Sequence, residues 1–265
     1  MSSTTRSFEA RFGRFALTGA AMAILATLLA LAALGWVYVS ARSGSMMMSA
    51  GPDGASFAIF LATWVVMMAA MMFPAFAPAV LVYAEYTRQR TRTWPLLAAV
   101  FLAGYLTIWS AVGVGTYALV ALLVPLIVDV PVVRAAPHVF LGAVIAAAGL
   151  YQLTPLKDAL LKHCRSPFHW LLRGFRPGLR GALHMGIEEG VVCLGCCAGL
   201  MLVLLAVGVA SVGWMAAVAA VIFGEKILAP TAAVAKGVAV LLVGFGIAVA
   251  MIPAVAEFVL GGSAM

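Results

Sequence analysis

Apolar stretches of roughly 20 residues recur along nearly the whole chain, and this recurrence restricts the possible folds more than any motif does. A helix of about 20 apolar residues crosses the ~30 Å hydrocarbon layer of a bilayer. Inside that layer the backbone can satisfy its own N–H and C=O groups only as helices or closed barrels. Spans are expected near 16–39, 57–84, 96–123, 138–153, 183–209, 212–228 and 237–259. The fourth is barely long enough. The short Ala210-Ser211-Val212-Gly213 turn between the fifth and sixth leaves a six-span arrangement with a re-entrant element open. The expected fold is therefore all-α, a polytopic transmembrane helix bundle of about seven spans, forming a single membrane domain over residues 1–265. With 65% apolar and 9% charged residues, the chain has too little polar surface to face water on all sides.

The formal charge of +7 raises nucleic acid as a partner, but in a membrane protein basic residues first report orientation. With the N-terminus in the cytoplasm, Arg6, Arg11 and Arg14 lie inside, as do Arg88, Arg90 and Arg92. So do Lys157, Lys162, Arg165, Arg173, Arg176, Arg180, Lys226 and Lys236, which puts fourteen of the 16 basic residues on one face; only Arg42 and Arg134 fall outside. The charge thus reads as topology and contact with anionic lipid, with no nucleic acid. Val39-Ser40-Ala41 resembles a signal cleavage site, but the apolar run before it is too long for a signal core and reads as a retained anchor. The one long connection, 154–180, mixes six basic residues with Phe168, Trp170, Leu171, Leu172 and Phe175, and is expected to lie in the cytoplasmic headgroup layer.

Sulfur dominates the chemistry of the remaining residues. In the second span Met67, Met68, Met71 and Met72 fall within an arc of about 140° on a helix, forming one thioether stripe. Such a stripe is ordinary core packing or a set of soft ligands. Pro74 just below removes a backbone hydrogen bond and marks an expected kink. In the fifth span Glu189, Cys193, Cys196 and Cys197 stand at i, i+4, i+7 and i+8, which places a carboxylate and three thiols within about 80°. Met185 and Met201 lie near the ends of that stripe, and Glu188 points the other way. None of the four cysteines is on an expected outer loop, so a disulfide framework is not expected. An acid inside a bilayer costs at least about 2.5 kcal/mol, which makes Glu189 a functional candidate. Counted from opposite faces, both stripes come near the midplane. Glu225-Lys226, toward the cytoplasmic end of the sixth span before Pro230, suggests a lysine that snorkels out beside an acid facing the bundle. His163-Cys164 is a possible loading point for metal, while His138 and His184 suit satisfied interfacial histidines.

At Trp64 to Pro74, Tyr151 to Lys157 with Cys164 to Pro167, Gly181 to Met201, Trp214-Met215-Ala216 and Glu225-Lys226, the sequence resembles the DUF2182 family, bacterial integral membrane proteins predicted to bind metal. The resemblance implies a metal-handling membrane protein. The family pattern has a histidine at the position of Glu189 and a cysteine at that of Leu160, so two candidate ligands differ here; this leaves Zn(II), Fe(II) or a lapsed site open beside Cu(I). The function expected first is binding of a soft transition metal, copper foremost, in transport or delivery across the inner membrane. Cys193, Cys196, Cys197, Glu189, Met67, Met68, Met71, Met72, Met185 and Glu225 are the candidate ligands, and another membrane or periplasmic subunit is a conceivable partner. The alternatives are a membrane thiol oxidoreductase using Cys196 or Cys197, and a structural subunit whose sulfurs only pack. No nucleotide-binding loop is present, which argues against ATP-driven pumping by this chain alone.

Overall fold

A computed structural model describes residues 18–42, 54–123, 126, 129–207, 211–228 and 232–261. Arg6, Arg11, Arg14, Ala210 and Pro230, and the side chains of Trp170, Leu172 and Arg173, lie outside what is described. Among the described residues the secondary structure is helical throughout, with no strand. The helices are α1 Gly19–Arg42, α2 Gly54–Arg88, α3 Trp94–Ala118 with a π-helical turn Leu119–Leu123, α4 Pro131–Ala135, α5 Pro137–Tyr151 and α6 Pro155–Cys164. There follow α7 Pro167–Gly174, α8 Gly178–Val207, α9 Val212–Phe223 with a π-helical turn Gly224–Leu228, α10 Ala232–Met251 and α11 Pro253–Gly261.

Proline sets many of these starts. Pro95, Pro137, Pro155 and Pro167 sit in the first turn of their helices, where a missing N–H costs nothing. At α6 the Thr154 side chain also accepts from the Lys157 N–H as an N-cap. Pro74 and Pro78 lie inside α2, which is nonetheless assigned as one helix of 35 residues. They remove hydrogen bonds to the Ala70 and Pro74 carbonyls, and neighbouring packing must hold the helix together there.

Among the described residues five helices are long and apolar enough to cross a membrane: Gly19–Arg42, Ser56–Arg88, Trp94–Leu122, Gly178–Val207 and Val234–Met251. Counting α5 and α6 as one bent span, broken by 63°, gives six. Residues 212–228 also form a helix, whose 12 α-helical residues and five-residue π turn are at the short end of what a crossing takes and lie outside this count. α5, at 15 residues, is shorter still.

Two packed pairs organise the bundle: α3 lies along α8, and α5 along α10, while α2 packs against α1, α3 and α9. The α3–α8 approach is backbone to backbone, since a Cβ on Gly186 would collide with the Phe101 carbonyl. Small residues permit such contact where no hydrophobic drive separates protein from lipid. In the 154–180 connection α6 packs onto α8 and α7 onto α2, with Leu161 and Leu171 buried and the Phe175 ring 4.6 Å from that of Tyr86, while Leu156 stays exposed. Gly195 of α8 makes room for this, because a Cβ there would meet the Leu160 side chain of α6.

Candidate functional site

The packing of α6 against α8 brings a fourth cysteine to the three of the α8 stripe. Cys193, Cys196 and Cys197 are all buried, as one helical face directed at the core dictates, and all four cysteines are free thiols. Cys164, the last residue of α6, places its Sγ 3.5 Å from Cys196 Sγ. Tyr151 at the end of α5 donates to the Gly195 carbonyl at 2.6 Å and ties α8 down next to this pair. Two metal–thiolate bonds of about 2.3 Å at a tetrahedral angle span roughly 3.8 Å between sulfurs. The Cys164–Cys196 separation of 3.5 Å is that of an S–H···S contact, so the two sulfurs have to part slightly to share a metal.

Cys193 has different company. Its Sγ is 3.1 Å from the Tyr105 hydroxyl of α3 and accepts from Lys226 Nζ at 2.9 Å. Lys226 was expected to snorkel outward; the π turn instead directs its ammonium inward, onto sulfur. A charge-assisted donor of this kind complements a thiolate. Cys197 turns back on its own helix, donating to the Cys193 carbonyl at 2.9 Å, while Cys196 approaches the same carbonyl at 3.1 Å.

The two adjacent acids part company, as their helical positions require. Glu189, 3% exposed, lies 3.6 Å from His163 Nε2 of α6, whereas Glu188 pairs with Arg176 and His184, each at 3.2 Å. Glu225 is buried and faces α6: Lys157 Nζ donates to it at 2.7 Å and Gln152 Nε2 at 3.3 Å, and Lys157 also bonds the Gln152 side-chain carbonyl. Arg165 completes the arrangement by donating to the Glu225 backbone carbonyl. Adjacent residues on one turn thus serve two neighbours, Glu225 holding α6 and Lys226 reaching α8.

A cavity of about 260 Å³ opens beside the thiols. Its walls come from the Ala75–Ala79 stretch of α2, from Cys164 to Phe168, from Glu189 and Cys193, and from Lys226 and Ile227. Pro78 is one of the lining residues, so the proline-containing part of α2 does border a cavity. Met67, Met68, Met71 and Met72 are each buried to 3% exposure or less in the core cluster that also contains the α8 cysteines, but none of the four is among the lining residues. Met185 is fully buried and its sulfur accepts from the Arg176 N–H at 3.4 Å. Among the described residues no three His, Cys, Asp or Glu side chains converge as a ready metal-binding group. What the fold brings together is a thiol pair, an acid–histidine pair and a thiol–ammonium pair; Cys164, Glu189, Cys193 and Lys226 of these line the cavity, while Cys196 and His163 stand behind its lining. Sequence reasoning singled out the α8 thiols and Glu189; it gave no sign that Lys226 and Tyr105 would meet at Cys193.

No curated protein and no solved structure matches the chain. Residues 61–249, more than two thirds of the sequence and the whole stretch from α2 through most of α10, match the copper chaperone family PpoB2. With soft sulfur donors gathered from two segments inside that stretch, the chain belongs to the PpoB2 copper chaperone family.

Proposed function

We propose that this chain is a bacterial inner-membrane copper carrier that holds Cu(I) as cargo between Cys164 and Cys196, halfway along α8, and passes it on across or within the membrane. The observation that carries the reading is the 3.5 Å Sγ–Sγ approach of two thiols from separate segments, inside the region that matches a copper chaperone family. Thiolates are soft ligands suited to Cu(I), and two of them suffice for a cargo that must also leave. The remaining residues support that task. Tyr105 and Lys226 hold Cys193 as a third sulfur next to the pair, and the Lys226 charge offsets the net negative charge of a copper dithiolate in a poorly solvated site. His163 positions Glu189 at the wall of the cavity. With the basic residues orienting the N-terminus to the cytoplasm, the wall of the cavity that comes from the basic 154–180 connection lies toward the cytoplasmic side.

In this reading the α2 methionines act as a deformable core around the site and bind no copper. Titration of the detergent-purified protein with Cu(I), in competition with a chromophoric chelator, is expected to give one tightly held copper per chain. The variant Met67→Leu/Met71→Leu should keep that stoichiometry, because leucine replaces buried methionine at nearly constant volume. Loss of copper in the methionine variant with full binding in Cys164→Ser would overturn the assignment.

A further inference from the structure

The cavity beside the thiols is much larger than copper needs. At about 260 Å³ it holds on the order of twenty times the 10–15 Å³ that admits a single water. A bare ion does not call for that room; a small organic molecule does. The charged groups in its wall point the same way. Arg165 is anchored at the wall by donating to the Glu225 carbonyl, and Lys226 stands with its ammonium 2.9 Å from Cys193 Sγ. Against these two cations stands one acid, Glu189, paired with His163. Phe168, Ala75 and Ala79 supply the apolar part of the lining. Such a space suits an anionic guest with a small carbon skeleton, with Cys164 and Cys193 in its wall and Cys196 directly behind Cys164.

Resting on the copper reading above, we infer that the cargo enters this cavity as the anionic bis-thiolate complex of Cu(I) with a small cellular thiol, and is transferred there by ligand exchange. The step balances without any oxidant or reductant. Two copper–sulfur bonds to the incoming thiolates break, and two form to Cys164 and Cys196. The proton of each cysteine goes to a departing thiolate, so two neutral thiols leave through the cavity. Copper stays Cu(I), and the complex carries a charge of −1 before and after, opposite Lys226 throughout. The cavity gives the incoming complex a place to dock and the released thiols a place to depart, and copper is never free in solution.

The test compares loading rates of the purified full-length protein from two donors poised at the same free Cu(I): the complex with cysteine, and the complex with bathocuproine disulfonate, whose two fused aromatic ligands exceed the cavity. Loading from the cysteine complex is expected to be at least about tenfold faster, because only the smaller donor exchanges its ligands from a docked position, and to saturate with complex concentration. Ala79→Phe, which narrows the cavity, should slow loading from the cysteine complex toward the rate seen with the bulky donor. Equal rates from both donors in the wild-type protein, with copper bound, would overturn the inference and leave the copper site standing. If the protein retains no copper from either donor, the proposed function itself fails and the inference with it.

Discussion

Cys196→Ser is expected to lower Cu(I) affinity by more than the roughly 10–100-fold that loss of an outer-shell partner costs a metal site. Cys164→Ser should match it within a few fold, and the double variant should be little worse than either single one. The reasoning is that a two-thiol chelate is a unit. A serine hydroxyl is a hard, neutral donor that does not replace a thiolate for Cu(I), and the thiol left behind binds in one-point fashion. Cys197→Ser provides the internal contrast. Cys197 Sγ turns back on its own helix, donating to the Cys193 carbonyl at 2.9 Å where Cys196 Sγ meets Cys164 Sγ, and a serine hydroxyl can make the same bond. Its copper affinity should stay within a few fold of wild type. Competition titrations with a Cu(I) chelator measure all four variants; equal losses at Cys196 and Cys197 with wild-type affinity in Cys164→Ser would favour the three-thiol stripe of α8 over the two-segment pair.

The second large effect concerns the ion pair that holds α6 in place. Lys157→Ala should destabilise the protein by about 3–5 kcal/mol, as should Glu225→Ala, because each leaves a buried charge without its partner. The two groups are 1% and 2% exposed and 2.7 Å apart, with Gln152 bonded to both. Replacing both together, as Lys157→Met/Glu225→Leu, should recover most of the loss, since a packed apolar pair of similar volume often equals a buried ion pair. Thermal unfolding of the apo protein in detergent reads this difference. The consequence reaches the site: Glu225 sits one residue before Lys226, and Lys157 is on the same helix as Cys164, so loosening this pair loosens both arms that approach the α8 sulfurs. Both single variants should therefore also bind copper more weakly, and the double variant should regain part of that affinity.

Much of the architecture was legible because hydropathy and proline act locally. The seven apolar runs fall on helices, the last of them divided at Pro253 between α10 and α11, and Pro95, Pro137 and Pro155 mark helix starts that can be read directly from the chain. The bend between Tyr151 and Pro155 was not legible, because it is a tertiary matter. The segment 154–180 has an amphipathic composition, and composition alone does not say that Leu161 and Leu171 meet protein. Gly195 leaves room for the Leu160 side chain beside them.

The candidate site divides in the same way. Periodicity of 3.6 residues was enough to place Cys193, Cys196 and Glu189 on a buried face of α8 and to send Glu188 elsewhere, because these residues share one helix. Contacts between helices carry no such signal. The sequence linked Glu225 to its neighbour Lys226, whereas the fold gives Glu225 to Lys157, 68 positions away, and Lys226 to Cys193. Cys164, noted with His163 as a possible loading point, becomes a direct neighbour of Cys196 only once α6 folds back. The methionine stripe was seen correctly as a buried stripe; its position away from the cavity depends on how α2 is rotated in the bundle.

Copper K-edge X-ray absorption on the protein loaded with one equivalent of Cu(I) tests the central claim most directly, alongside the same measurement on Cys164→Ser/Cys196→Ser. The account predicts a first shell made of thiolate sulfur in the wild-type protein, and loss of that shell together with the copper in the double variant. A shell dominated by nitrogen or oxygen, or a sulfur shell that survives the removal of both cysteines, would contradict it.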